Sequence, residues 1–225
     1  MNILETEKRR AAEKAIEFIK SGMTIGCGTG STVYYAIQKI GTMVQDGLNI
    51  KCVPSSKNTL ALLKKHRVPV KTINQAEQID ITIDGADRVD RNLNLIKGGG
   101  GALLREKIIA SISSKLIIIV DSSKIVDILG GVPLPVEVMK ICHRSVYRKL
   151  EQSGLSPSYR ETGGRFFVTD NGNYIIDLHI PMIENPDGFE RDLNLIPGVI
   201  DNGLFIRMTD TVICGNKIYK QKIHL

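Results

Sequence analysis

The chain has 225 residues, 42% of them hydrophobic and 24% charged, with 30 Lys and Arg against 24 Asp and Glu for a formal charge of +6. That composition is ordinary for a globular protein, with length enough for one large domain or one large and one small. The basic residues are scattered, with short clusters at Lys8–Arg10, Lys64–Arg67 and Lys217–Lys222 and no aromatic-flanked stripe, which excludes nucleic acid and suits a small anionic substrate.

Four cysteines (Cys27, Cys52, Cys142, Cys214) form no C-x-x-C pair, which argues against zinc and against a disulfide framework. Reduced thiols and a cytoplasmic location are the expectation. The charged start MNILETEKRRAAEKAIEF lacks the apolar run of a signal peptide, and no segment approaches the eighteen apolar residues of a membrane span. His66, His143, His179 and His224 stand in no ligand spacing.

In chain order, residues 5–20 carry Ala12, Ala15, Ile16 and Ile19 at helical spacing and stop at Ser21-Gly22. A strand over Met23–Gly26 runs into Gly28-Thr29-Gly30-Ser31-Thr32, after which Val33, Ala36, Ile37 and Ile40 resume helical spacing, with Gly41 as the stop. Strand, glycine turn, helix is the order that sets free backbone N–H groups and a positive helix end beside a phosphate. The turn lacks the lysine of a P-loop, and its glycines are spaced G-x-G-x-G rather than G-x-G-x-x-G. The second strand, Ile50–Val53, ends in Pro54-Ser55-Ser56 with no acid for a ribose, so the turn reads as a monophosphate site.

Further strands are expected at Val70–Ile73, Ile79–Ile83 and Leu116–Val120, the last an unbroken apolar run of the kind buried on both faces of a parallel sheet. Asp84 and Asp121 each follow such a strand, and ligands of open α/β sheets bind beyond the strands' carboxyl ends. On that geometry the Gly28–Thr32 turn, Asp84–Asp87 and Asp121–Lys124 converge on one crevice. After Gly130-Gly131, Pro133 and Pro135 lead into a helix with Met139, Cys142, Val146 and Leu150 on one face. Short strands split by the hairpin turn Asp170-Asn171-Gly172-Asn173 and a helix near Phe189–Leu195 follow. Strands Thr211–Cys214 and Ile218–Lys220 close the chain. The expectation is an open, mostly parallel, Rossmann-like α/β sheet with helices on both faces, from 1–129 and 206–225, and a smaller inserted α+β domain from 130–205.

The densest chemistry lies between Asp80 and Ala110. Asp84, Asp87 and Asp90 are spaced by three, and Lys97 precedes four glycines, Gly98 to Gly101, with Glu106 beyond them. Each ordered glycine costs roughly 0.5–1 kcal/mol relative to alanine. Such a run fits where the backbone turns with positive φ, or aims its N–H groups at an anion or a developing oxyanion. Carboxylates and a lysine beside it are groups that move protons on a small, oxygen-rich molecule.

Gly28-Thr-Gly-Ser-Thr32, Asp84-Gly85-Ala86-Asp87, Lys97-Gly98-Gly99-Gly100-Gly-Ala-Leu-Leu-Arg-Glu106-Lys107, Asp121-Ser-Ser-Lys124 and Leu134-Pro-Val-Glu137-Val resemble, in order and spacing, the type A ribose-5-phosphate isomerases. The resemblance continues through Thr169–Asn173 and Pro197-Gly-Val199 to Gly203-Leu-Phe205, so it covers essentially the whole chain. It implies interconversion of D-ribose 5-phosphate and D-ribulose 5-phosphate without a metal or organic cofactor, by a homodimer or homotetramer. It makes Glu106 the base between C1 and C2, and gives Asp84, Asp87 and Lys97 the hydroxyl protons and ring opening. It has Gly28, Thr29, Gly30, Ser31, Thr32, Gly85, Ala86, Gly98, Gly99, Gly100, Asp121 and Lys124 hold the substrate, largely by its phosphate. Arg88, where the family more often has an acid, and Cys27, where an apolar residue is usual, depart from the pattern. Two other classes stay open on the residues alone: a sugar-phosphate sensing module and an amino-sugar phosphate isomerase or deaminase.

Overall fold

The structure, a computed structural model, describes residues 2–220. His224 and the end of the basic cluster Lys217–Lys222 lie outside the described residues. The chain forms two compact units: one from residues up to Ala86, Arg105–Ile125 and the segment from Arg207, the other from Asp87–Leu104 and Val126–Ile206.

The first unit is built on a six-stranded sheet. Helix α1 (Ile3–Ile16) starts at Asn2, whose side chain accepts from the Leu4 N–H at 3.1 Å. Strand β1 (Thr24–Cys27), helix α2 (Ser31–Gln45), β2 (Lys51–Pro54), α3 (Lys57–Lys65) and β3 (Ile81–Asp84) follow. The strand order is Lys217–Lys220, Thr211–Cys214, Leu116–Val120, β3, β1, β2, parallel throughout except at the Lys217–Lys220 edge. Leu116–Val120 sits fourth from the β2 edge with every residue buried, as its unbroken apolar run demands.

Both faces of this sheet are covered. Ile25 and Cys27 of β1 join the core made with Ala11, Ala12 and Ala15 of α1 and Val33, Ala36 and Ile37 of α2. The alternate residue, Gly26, faces helix α4 (Leu103–Ser111): an added Cβ there would lie 2.7 Å from Ile109 Cγ2 and 1.9 Å from Thr82 Oγ1. Val53, Ile79 and Ile109 form the core on that side. The open, mostly parallel sheet with helices on both faces is the architecture the sequence leads one to expect.

The second unit carries an antiparallel sheet in the order Val199–Asn202, Leu134–Val138, Tyr174–Leu178, Pro157–Tyr159. Helices α5 (His143–Gln152) and α6 (Pro186–Asn194) supply Val146, Leu150 and Leu193 to its core. Glu137, in the middle of this sheet, is fully buried, and its Oε1 accepts from Thr169 Oγ1 at 2.9 Å, Asn173 Nδ2 at 2.9 Å and Asn171 Nδ2 at 3.1 Å. That carboxylate fixes the expected hairpin turn from within. A ribbon of Arg88–Val89, Leu95–Ile96 and Leu204–Phe205 completes the unit.

Three local expectations change. Val70 makes a single bridge to Cys52 instead of opening a strand, because the Thr72 and Gln75 capping box turns the chain into a 3₁₀ segment, Ile73–Gln75. Leu134–Val138 is a strand, and the helix that was expected to include Met139 starts at His143, so Val146 and Leu150 alone of the four named residues are its buried face. Gly41 does not stop α2, which runs on to Gln45. Its reason is packing: a Cβ at 41 would lie 2.7 Å from the Cβ of His66, which follows α3. Replacing a mid-helix glycine by alanine gains about 1 kcal/mol of helix propensity, whereas overpacking costs about 1–3 kcal/mol. Gly41→Ala is therefore expected to lower the urea unfolding midpoint, and a raised midpoint would show that the two helices separate without cost.

Candidate active site

In the first unit the carboxyl ends of β2, β1, β3 and Leu116–Val120 lie side by side because those strands are parallel neighbours. The segments that follow them are therefore brought together at one end of the sheet: Ser55-Ser56, Gly28–Thr32, Asp84–Ala86 and Asp121–Lys124. Gly85 shows how close they come. A Cβ added there would lie 3.8 Å from the Thr29 carbonyl and 3.9 Å from that of Ile119.

Asp84 is 1% exposed, and its Oδ1 accepts from the Gly85 N–H at 2.7 Å and the Thr29 N–H at 3.2 Å. Gly28 is glycine because Asp84 occupies its side-chain space: an added Cβ would lie 1.8 Å from Oδ1 and 2.6 Å from the Asp84 Cβ. Beyond it, Thr29 Oγ1 meets the hydroxyls of Ser55 and Ser56, each at 2.9 Å, and of Thr59 at 3.1 Å. Thr59 Oγ1 in turn donates to the Gly28 carbonyl at 2.8 Å. Gly30, at φ +135°, turns the chain into α2, which begins at Ser31 with no side-chain cap and no acid in its first turn. Its first N–H groups thus present a positive helix end at this edge of the sheet.

Asp121 is 2% exposed and caps a short turn: its Oδ1 accepts from the Ser123 N–H at 3.0 Å and from the Ser123 hydroxyl. Lys124, half-buried, ends that turn. Glu106 lies on α4 and is 4% exposed. Ile109, three residues on and on the same face, rests against Gly26, and the chain after α4 runs beside Ile79, where the Ile79 N–H donates to the Ile112 carbonyl at 3.1 Å. The C-terminus of α4 thus lies toward the start of β3. Glu106 comes about 4.5 Å before Ile109 along the axis, so its position on the helix is displaced from Ile109 toward the end of the sheet where Asp84 and the Gly28–Thr32 turn are.

The second unit holds the remaining expected residues. Lys97 is 3% exposed, its N–H donates to the Gly203 carbonyl at 2.8 Å, and its Nζ lies 5.4 Å from the centre of the Phe205 ring. Asp87 Oδ2 accepts from the Gly99 N–H at 2.9 Å. Arg88 donates to the backbone carbonyl of Asp87 at 3.1 Å. Asp90 is a turn residue: Oδ1 accepts from the Asn92 and Asn94 N–H groups, both at 2.8 Å, and Oδ2 from Asn94 Nδ2 at 3.0 Å. Gly98 and Gly101 have φ of +97° and +78°, which alone favours glycine there. Gly99 and Gly100 are exposed.

Cys27 borders the turn but is no nucleophile. Hydrogen bonding to the Cys52 thiol, with burial, pushes its pKa well above the ordinary range, so it stays a neutral thiol. Among the described residues no group of three or more His, Cys, Asp or Glu side chains is placed to hold a metal ion. Ser55, Ser56 and Thr59 were not expected; the signal for them is the Pro54-Ser-Ser-Lys-Asn-Thr59 run directly after β2, in which Ser56 caps α3 through the Thr59 N–H at 3.0 Å.

The contact of Gly28 with Asp84 makes a direct test. Gly28→Ala is expected to lower the unfolding midpoint by about 1–3 kcal/mol equivalent, the range for overpacking. Asp84→Gly in that background should recover it, and Asp84→Ala should recover less, because its Cβ stays in the way. Equal recovery by both would show that the carboxylate alone sets the constraint.

The chain matches the family model for ribose 5-phosphate isomerase A (phosphoriboisomerase A) over residues 51–218. It is 48% identical over 211 residues to a Bacillus mycoides protein named ribose-5-phosphate isomerase A, covering 93% of this chain and 96% of that one. It superposes on ribose 5-phosphate isomerase from Plasmodium falciparum with a TM-score of 0.93 at 36% identity, covering 97% of this chain and 100% of the other. A D-ribose-5-phosphate isomerase solved in complex with phospho-erythronic acid matches with a TM-score of 0.92 at 40% identity, covering 98% and 99%.

Proposed function

The chain belongs to the ribose 5-phosphate isomerase A family, and from that premise we propose that Glu106 is the carbon base and that Asp84, Asp87 and Lys97 move the hydroxyl protons. The reaction is the interconversion of D-ribose 5-phosphate and D-ribulose 5-phosphate through an enediolate, a step of the non-oxidative pentose phosphate pathway. The observation that supports the assignment is Glu106 itself, a carboxylate 4% exposed in the first half of α4, a helix that packs on the sheet whose strand ends hold Asp84 and the Gly28–Thr32 turn.

The chemistry requires four things of these residues. After ring opening, a base takes the C2 proton of the aldose and returns a proton to C1, and Glu106 has the group for both transfers. A hydroxyl proton passes from O2 to O1 in the same sense, the work given to Asp84, Asp87 and Lys97. The oxyanion that develops needs preorganised donors, supplied by the Gly100 backbone N–H and the Lys97 ammonium, while the Gly99 N–H holds Asp87 in place. A phosphate handle holds the chain in register: Thr29, Gly30, Ser31 and Thr32 at the α2 N-terminus, with Lys124 as the cation. Gly85 and Ala86 line the same strand end, and Asp121 shapes the turn that presents Lys124.

No metal takes part in this reading, and the active species is a homodimer or homotetramer. No helix among the described residues is long and apolar enough to cross a membrane, and the four free thiols suit a cytoplasmic location.

Purified protein should convert ribose 5-phosphate to ribulose 5-phosphate, and exhaustive EDTA treatment should leave the rate unchanged; a rate lost to EDTA and restored by Mg²⁺ or Mn²⁺ would end the metal-free reading. Lys124→Ala should raise KM more than it lowers kcat, since a handle binds ground and transition states alike. Inorganic phosphate should compete with substrate in the wild type and less well in the variant. Unchanged KM and phosphate inhibition would remove Lys124 from the handle.

A further inference from the structure

Arg160 and Asp177 lie far in sequence from the glycine run, yet they hold its backbone. The Arg160 side chain is 15% exposed and that of Asp177 12%. Its Nε donates to Asp177 Oδ2 at 2.8 Å and its Nη2 to Oδ1 at 2.5 Å. The remaining arm of the fork, Nη1, donates to the Gly98 carbonyl at 2.7 Å and the Gly99 carbonyl at 3.1 Å. Arg160 is itself fixed by its backbone: its N–H donates to the Ile175 carbonyl at 3.0 Å, and its carbonyl accepts from the Phe167 N–H at 2.8 Å. The Phe167 ring packs where a Cβ on Gly101 would be, 2.5 Å from it.

In a planar trans peptide the C=O of one residue and the N–H of the next point in opposite directions. Arg160 draws the Gly98 carbonyl toward itself, so the Gly99 N–H faces away from it, and that N–H donates to Asp87 Oδ2 at 2.9 Å. The same geometry applies one peptide further on. With the Gly99 carbonyl on Nη1, the Gly100 N–H faces away from Arg160, on a residue that is exposed. We infer that Arg160 is a positioning residue for the isomerisation. Its guanidinium, clamped by Asp177, locks two peptide planes of the glycine run and thereby aims the Gly100 N–H at a substrate oxygen. Lysine cannot replace it, because the arrangement uses a planar fork with three nitrogens engaged at once. The inference rests on the reading of the glycine run, through the Gly100 N–H, as a donor to the substrate.

The test is steady-state kinetics of the full chain with ribose 5-phosphate. Arg160→Ala should lower kcat by about 100-fold, the scale of an ångström-sized misplacement, while KM moves less than about threefold because the phosphate handle is elsewhere. Arg160→Lys should lose nearly as much, and Asp177→Asn less. Methylguanidinium should restore the kcat of Arg160→Ala by about tenfold or more, as expected if the missing fork is what the site lacks. Asn173→Ala, which loosens the Glu137 turn in the same sheet, should lower the unfolding midpoint and leave kcat within about twofold. If Arg160→Ala does not fold, Arg160→Lys carries the reading. A folded Arg160→Lys with kcat within about threefold of wild type overturns the inference, as that is far below a positioning effect. So does a kcat that merely follows the unfolding midpoint across the Arg160 and Asn173 variants. An inactive wild type would instead sink the isomerase reading beneath it.

Discussion

The Asp84 carboxylate and the Gly28 backbone meet with no space for a side chain between them, and the order of the first unit's site follows from that contact. It forces glycine at position 28 and lets the Thr29 N–H reach Oδ1. It also places the Thr29 hydroxyl among Ser55, Ser56 and Thr59. The parallel pairing of β1 with both β2 and β3 makes the approach possible, since it sets three strand ends level. Once the turn is seated, α2 starts at Ser31, and its uncapped, acid-free end is the one proposed to hold the phosphate.

The second unit uses the same device with different residues. Asp87 lies where a Cβ on Gly99 would be, 2.9 Å from Oδ1, and takes the Gly99 N–H. Gly98 is closed in by Leu103 and Pro135 and Gly101 by Phe167, so three of the four glycines are there for close approach. A penalty of roughly 0.5–1 kcal/mol per glycine is offset by these contacts and by the Arg160 fork. The run is therefore an ordered part of the unit, and preorganised N–H donors have the value for catalysis that a mobile loop lacks.

Much of this was legible in the sequence. Leu116–Val120 announces itself as a doubly covered strand because no polar residue interrupts it, and Gly28–Thr32 as a turn between strand and helix because of what precedes and follows it. Asp90 shows the limit of composition, since its spacing from Asp87 suggests shared chemistry and its bonds are those of a turn. Gly41 misled because a packing glycine and a helix stop look alike until the partner, His66, is known. Leu134–Val138 was hidden by Pro135 within it, Pro133 just before it, and a buried acid, Glu137, whose partners lie more than thirty residues away. Arg160 was invisible for the same reason: Asp177 is seventeen residues away, and the Gly98 and Gly99 carbonyls it holds leave no trace in residue type. Family likeness supplied the role proposed for Glu106, a residue that by spacing alone reads equally well as a solvated helix acid.

The central claim is that Glu106 carries a proton between C1 and C2. The most direct measurement is proton NMR of the isomerisation in D₂O by wild type and by Glu106→Gln, which keeps the side chain's shape but cannot accept the proton. The wild type should place solvent deuterium at the carbon that receives the proton, because an enediolate exposes the transferred proton to exchange. Glu106→Gln should lose exchange and isomerisation together, with kcat down by at least about 10²-fold and KM little changed. A folded Glu106→Gln that keeps more than about a tenth of wild-type kcat, less than general-base catalysis contributes, or that still exchanges at C1 or C2, would contradict the account and move the base to Asp84 or Asp87.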